Sequence, residues 1–307
     1  MTGIVEASGL SKWYGQVIAV NKVSFAVGPG VTGLLGPNGA GKSTLMKLIT
    51  GQLRPSQGQV TLFGQRIWNN YGLFMRIGLC PEQDSFYERM TGAEFLAALL
   101  RIHGFSEAEA GRRTTSALEL VDLAAAGDKK IGAYSKGMRQ RIKLAQAVAH
   151  DPEVLVLDEP LAGMDPVARR ETIRLVRGWG KAGKCVIVSS HILHEIEAMT
   201  PTILLIHNGQ VLAEGDVHQI RDLIDKHPHH IFIRCSEPRR LAEILVRFSD
   251  VLSVRFQPEA NALTLESAQP DEFYQRLPDL LLRHEIDLEE ISSPDDNLQA
   301  VFHYLVK

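Results

Sequence analysis

A nine-residue loop limits what this chain can fold into more than any other stretch. Gly36-Pro37-Asn38-Gly39-Ala40-Gly41-Lys42-Ser43-Thr44 carries the spacing G-x-x-x-x-G-K-[ST] of a phosphate-binding loop. Such a loop works between a strand and a helix. Residues 31–35 before it are short, apolar and strand-like. Residues 43–50 after it read as a helix closed by Gly51. Glycines let the backbone wrap a polyphosphate and aim several N–H groups at it. The helix N-terminus, carrying roughly half a positive charge, faces the same anion. Lys42 is placed to hold β- and γ-phosphates. The Ser43 hydroxyl is placed to ligate Mg²⁺, which favours hard oxygen ligands.

A length of 307 residues predicts about two domains. The chain is 45% hydrophobic and 22% charged, enough for a sizeable core. With 33 basic and 36 acidic residues the net charge is −3, which argues against a nucleic-acid binder held by bulk charge. Cys80, Cys185 and Cys235 are too scattered for a zinc site or a disulfide framework, so buried thiols in a reducing cytosol are expected. Residues 1–15 lack the pattern of a signal peptide. No apolar run approaches the roughly 18 residues of a membrane span, so the chain is not expected to cross a membrane by itself.

Residues 4–27 alternate like an antiparallel edge sheet. Within them Tyr14 could stack on an adenine face; a core or surface aromatic fits equally well, and Trp13 competes for the role. Strand patterns at 59–63 and 76–79 lead into Cys80-Pro81-Glu82-Gln83-Asp84. A carboxamide or carboxylate at a strand's C-terminal end can meet Mg²⁺ or its waters, and an ordinary polar loop has the same pattern. Residues 94–102 and 112–123 have helical spacing and suggest a helical insert. Ser135 is a candidate N-cap for a helix to about residue 150, a second N-terminus able to receive an anion.

The run 154–157 is continuously apolar, as in a buried parallel strand, and ends in Asp158-Glu159. Carboxylates at that end sit where ligands bind in doubly wound sheets. Asp158 suits a water-mediated hold on Mg²⁺, and Glu159 suits orienting or deprotonating an attacking water. A helix to about residue 180 and a strand at 185–189 follow, and His191 beyond that strand could reach a γ-phosphate. Residues 203–206 and 211–213 read as a hairpin turned by Asn208-Gly209.

Residues 215–230 read as helix and linker, with His227, His229 and His230 expected in a solvated turn rather than a metal site. From residue 231 the order strand, helix, strand, strand, helix, strand predicts a small ferredoxin-like α+β domain, with a last amphipathic helix at 297–305. No catalytic constellation stands out there, so a regulatory, dimerising or simply stabilising module is expected.

Taken together, residues 3–215 resemble the ATP-binding cassette ATPases, the motor subunits of ABC transporters, because six motifs occur in the family's order. The resemblance implies a P-loop cassette with a parallel-sheet core, an antiparallel β subdomain and a helical subdomain at 1–215. The accessory α+β domain takes 216–307. It makes Tyr14 the adenine-stacking residue and residues 36–44 Walker A. Gln83 becomes the Q-loop contact to the metal side, and Ser135 and Gly137 the signature donors to the γ-phosphate. Asp158 and Glu159 close Walker B, with Glu159 as base, and His191 is the switch histidine. Lys42 and Gln83 join Glu159 and His191 as catalytic groups. The signature departs from the usual Leu-Ser-Gly-Gly-Gln, because Lys136 and Met138 replace a glycine and the glutamine. Glu82 has the spacing many relatives give to the glutamine, and Gln83 stands one residue later.

The resemblance further implies Mg-ATP hydrolysis in a homodimer or heterodimer of cassettes that sandwiches two ATP molecules. That dimer would sit on the cytoplasmic face of the membrane under a separate multi-span permease, as in bacterial exporters. A soluble cassette acting on ribosomes or DNA is the rival. It fits less well without a second cassette, a long coiled coil or a basic stripe. A non-catalytic nucleotide switch is disfavoured by the intact Asp158, Glu159 and His191.

Overall fold

The computed structural model describes residues 3–217, 220, 229–258 and 261–293. The chain divides into two compact units, Met1–Asp216 and Val217–Lys307. Asp216 falls in the first unit, one residue beyond the expected boundary, because it pairs with Thr202 in the last ladder of that unit.

The first unit runs β1 (Val5–Tyr14), β2 (Val17–Val27), β3 (Gly30–Leu35), α1 (Lys42–Ile49), β4 (Gln57–Leu62), β5 (Gln65–Arg66), α2 (Tyr71–Phe74) and β6 (Ile77–Cys80). Helices α3 (Gly92–Ile102), α4 (Glu107–Leu120) and α5 (Lys136–Val148) follow. Then come β7 (Val154–Leu157), α6 (Pro166–Lys181), β8 (Cys185–Ser190), α7 (Leu193–Glu197), β9 (Thr202–His207) and β10 (Gln210–Asp216).

Six strands form one sheet in the order β10-β9-β3-β8-β7-β6. Neighbours from β9 to β6 are parallel, and β10 is antiparallel at the edge. Every residue of β7 and β8 is buried, as strands covered on both faces require. A second, antiparallel sheet has the order β2-β1-β4-β5. One core of Val5, Leu10, Leu34, Leu45, Val60, Val156 and their neighbours joins the two sheets around α1.

The helical insert is set by capping. Thr91 and Glu94 form a reciprocal capping box at the start of α3. Helix α4 starts at Glu107, five residues before the helical spacing read at 112–123, because the Ser106 hydroxyl accepts from the Glu109 N–H and Glu107 and Glu109 favour the first turn.

The second unit contains β11 (His229–Cys235), α8 (Pro238–Leu245), β12 (Val251–Gln257), β13 (Ala262–Ser267), α9 (Pro270–His284) and β14 (Leu288–Ser292). Its four strands are ordered β12-β13-β11-β14 with antiparallel neighbours, a ferredoxin-like arrangement. Ile231, Ile233, Leu263, Leu265 and Phe273 build its core. His229 and His230 open β11 instead of lying in a solvated turn, because the β13 ladder extends to Ser267 opposite His229. His230 Nε2 lies 3.1 Å from Glu266 Oε1. Most of the expected helix and linker at 215–230, and the last helix at 297–305, lie outside the described residues.

Candidate functional site: a phosphate cradle at the end of a parallel sheet

The loop between β3 and α1 closes because two glycines admit backbone where no side chain fits. A Cβ on Gly36 would lie 2.2 Å from the Ile206 carbonyl oxygen. Gly41 has φ +106° and would press a Cβ to 2.4 Å from the Ala19 carbonyl oxygen. Neighbouring strands brace the loop from behind: Gly209 N donates to Ala40 O and Asn21 N to Gly209 O.

Lys42 is only 8% exposed although it opens α1. Its ammonium donates to Gly36 O at 2.7 Å and Pro37 O at 3.2 Å, which holds it over the loop. The first turn of α1 contains no acidic residue, so the positive end of the helix dipole is uncompensated.

The loop forms one wall of a cavity of about 340 Å³. Asn38, Gly39, Gly41, Lys42, Ser43 and Thr44 line it together with Ala19, Glu82, Asp158 and Glu159. Asp158 and Glu159 follow β7, and the Asp158 N–H donates to Cys80 O at 2.8 Å, which laces β7 to the end of β6. Ser189, fully buried on β8, links the two carboxylate residues. Its hydroxyl donates to Asp158 Oδ1 at 2.6 Å and accepts from the Glu159 N–H at 3.0 Å. Glu159 itself has φ +49°, a backbone position costly for a residue with a side chain. Gln140 on α5 secures it from the other end by donating to Glu159 O at 3.1 Å.

His191 Nδ1 lies 3.0 Å from Glu159 Oε2. Burial pushes the Glu159 carboxyl above its ordinary value, and the bond to His191 opposes that shift. Beside His191, the Ser190 hydroxyl donates to Glu195 Oε2 at 2.8 Å and accepts from the Ile192 N–H. Buried Glu195 in turn pairs with Arg169 on α6 at 3.2 Å.

Hard oxygens of Ser43, Asp158 and Glu82 around one cavity suit Mg²⁺, which binds through one or two carboxylates plus phosphate and water. Among the described residues no group of three or more His, Cys, Asp or Glu side chains forms a ready metal cage.

The structure separates some residues that the sequence suggested together. Glu82, not Gln83, lines the cavity, and Gln83 is exposed. Lys143 holds the residues on either side of Gln83, at 2.8 Å from Glu82 O and 3.2 Å from Asp84 Oδ1. Gly36, Pro37 and Ala40 shape the loop without lining the cavity. Tyr14 is 47% exposed, lies outside the lining and has Lys12 Nζ 5.5 Å from its ring centre. Ser135 caps α5 by accepting from the Met138 N–H at 3.3 Å, and neither it nor Gly137 lines this cavity.

Ala19, Ser189 and Gln140 are site residues that sequence reasoning missed. A buried polar residue ending an apolar strand, and a glutamine on the inward side of a helix, were the available signals for the last two. The three cysteines are free and buried, and burial pushes the Cys80 and Cys185 thiols up to about 12.

Residues 20–162 match the family model described as ABC transporter. An uncharacterized ABC transporter ATP-binding protein of Synechocystis sp. is 34% identical over 273 residues, covering 85% of this chain and 76% of that protein. The chain belongs to the ABC transporter ATP-binding proteins. The daunorubicin/doxorubicin resistance ATP-binding protein DrrA of Streptomyces peucetius is 30% identical over 98% of this chain and 92% of its own length. Among solved structures, an ATP-binding subunit of an ABC transporter superposes with a TM-score of 0.67 at 30% identity, covering 72% of this chain and 93% of that one. A dimeric bacterial ABC transporter cassette shares the fold at 21% identity, with a TM-score of 0.65 over 69% of this chain and 98% of that one. As an ABC transporter ATP-binding protein, this chain is an ATPase. Among the described residues no helix is long and apolar enough to cross a membrane.

Proposed function

We propose that this chain is the motor of an exporter: two copies, or one copy and a related cassette, close on Mg-ATP and drive a separate multi-span permease. The observation that carries the reading is a split one. The phosphate loop, Asp158 and Glu159 share a cavity, while Ser135 and Gly137 open α5 outside it. A second cassette would bring its own Ser135 and Gly137 to the γ-phosphate, so that one anion bridges two helix N-termini. Binding then favours closure, and hydrolysis removes the charge that held it.

Within the closed site, Lys42 and the free N–H groups of the loop from Gly39 to Thr44, other than that of Ala40, hold the phosphates in line. Glu159 accepts a proton from the attacking water as the bond to the γ-phosphorus forms and the β–γ bridge breaks. His191, bonded to Glu159 through Nδ1, turns its other ring nitrogen to the γ-phosphate. Ser43, Asp158 and Glu82 would hold Mg²⁺, which would supply charge neutralisation to the phosphates. Glu82 takes the metal-side place expected for Gln83. Tyr14 stacks on adenine once nucleotide orders the approach.

Similarity to a drug-resistance ATP-binding protein supports the exporter reading. With a permease partner the chain would work at the cytoplasmic face of the membrane. The second unit, from Val217, is read as an accessory module. Light scattering of Glu159→Gln with and without Mg-ATP tests the mechanism: nucleotide should convert monomer to dimer. A variant that binds Mg-ATP yet stays monomeric at all concentrations would exclude closure between two copies.

A further inference from the structure

Lys143, in the third turn of α5, is 3% exposed. Lysine side chains ordinarily carry their charge out to water. This one ends inside the protein, where Nζ donates to Glu82 O at 2.8 Å and lies 3.2 Å from Asp84 Oδ1. Arg139 stands one turn earlier on the same face of α5. Its Nη1 lies 3.6 Å from Asp84 Oδ2 and its Nη2 lies 3.0 Å from Glu88 Oε1. Each oxygen of the Asp84 carboxylate therefore faces a different cation from a single helix.

Burying an ammonium is costly unless it is paired and hydrogen-bonded, so the arrangement specifies position more than it adds stability. What it positions is the start of the segment that carries Glu82, one of the carboxylates on the cavity wall. The same helix also holds Glu159, another carboxylate of the lining, by donating from Gln140 to Glu159 O.

We propose that Lys143 is a positioning residue for the nucleotide cavity: its grip on the Glu82 carbonyl and on Asp84 aims the Glu82 carboxylate at the metal side of Mg-ATP. The inference rests on the ATPase reading above and adds a residue to it. Lys143 touches neither nucleotide nor metal and acts through Glu82. Removing the ammonium strips the Glu82 carbonyl of its buried donor and leaves Asp84 to Arg139 alone.

The test is calorimetric titration of the full chain with the non-hydrolysable β,γ-imido analogue of ATP, once with Mg²⁺ and once with EDTA. Wild type, Lys143→Met and Asp84→Asn are compared, with melting temperature as the control for folding. Lys143→Met should weaken binding with Mg²⁺ about 10–100-fold, the usual loss when the support behind a metal ligand goes. Binding in EDTA should stay as in wild type. Asp84→Asn, which keeps the shape of the side chain, should move the ratio of the two affinities in the same direction by a smaller factor. Lys143→Arg should recover part of the loss, because the charge returns on a longer fork. Unchanged ratios in the folded variants overturn the proposal. Equal weakening with Mg²⁺ and with EDTA overturns it too, since that marks general damage. If Lys143→Met does not fold, Asp84→Asn decides alone. A wild type that binds in neither condition would remove the ATPase reading and this inference together, whereas normal wild-type binding with flat variants removes the inference only.

Discussion

In the first unit, Lys42, Gln140, Lys143, Asp158, Ser189 and Glu195 are all buried polar groups around the ends of parallel strands. In the second, the core is Ile231, Ile233, Leu263, Leu265, Phe273 and similar side chains. Its buried charge among the described residues is Asp250, held by Arg276 at 2.8 Å. Burying polar groups is unfavourable unless each finds a partner, so a fold concentrates them only where they do something. The first unit places its buried Lys42 and Asp158 on one cavity and Gln140 and Lys143 on the helix behind it. The second is put together mainly for packing, with Asp250 and Ser267 its buried polar residues among those described. The contrast teaches where chemistry should be lost and where only stability should be.

The largest expected effect breaks the polar side. Glu159→Gln keeps the shape and removes the proton acceptor, so phosphate release should fall roughly 10²–10⁴-fold while Mg-ATP still binds. Unchanged turnover would take Glu159 out of the reaction. The wild-type pH profile adds a second reading. Burial raises the Glu159 pKa above the ordinary 4.5, and the ionised form is the active one. Turnover should therefore fall with decreasing pH on an acid limb above 4.5.

Next in size, Phe273→Ala breaks the apolar side. Phe273 is 1% exposed at the centre of the second core, and truncation should cost about 3–5 kcal/mol there. Scanning calorimetry should show the second unit melting earlier while titration finds Mg-ATP affinity intact. A matching loss of nucleotide binding would show that the two units do not divide their tasks.

His150 sharpens the comparison within the first unit. Its ring is stacked on His103 at 4.3 Å, its Nε2 lies 3.0 Å from Ile77 O, and burial depresses its pKa to about 4. A depressed value means stability that is full above 6.5 and is lost as pH falls toward 4. Urea titrations across that window should find wild type losing up to about 3 kcal/mol relative to His150→Gln. A constant difference between the two would deny the buried neutral ring.

The smallest effect is Lys42→Ala. Loss of one charge-assisted contact should weaken nucleotide binding by roughly 10–100-fold in calorimetry and leave the melting of the second unit unmoved. Unaffected affinity would contradict the phosphate cradle.

Local patterns made much of the fold legible. The apolar run of β7 announced a buried parallel strand, and the glycine spacing announced a strand–loop–helix cradle, because both depend on neighbours within a few residues. The helical spacing at 112–123 left the first turn of α4 unmarked, because Ser106 was not recognised as its cap. Side-chain partners across the fold were not legible. Glu82, which lines the cavity where Gln83 does not, is held through its carbonyl by Lys143, 61 residues away in the chain. Ser189 joins Asp158 to Glu159 across two strands, and Gly41 is required by the Ala19 carbonyl on a different sheet.

By itself, the sequence determined the phosphate loop, the carboxylates that end β7, the histidine after β8 and the alternation of the second unit, since spacing along a strand or helix dictates which residues share a face. Tertiary structure alone decided which carboxylate borders the cavity, which polar groups are buried together and which helix holds them. Those outcomes depend on hydrogen bonds a few ångströms long between residues far apart in the chain, and no local period encodes them.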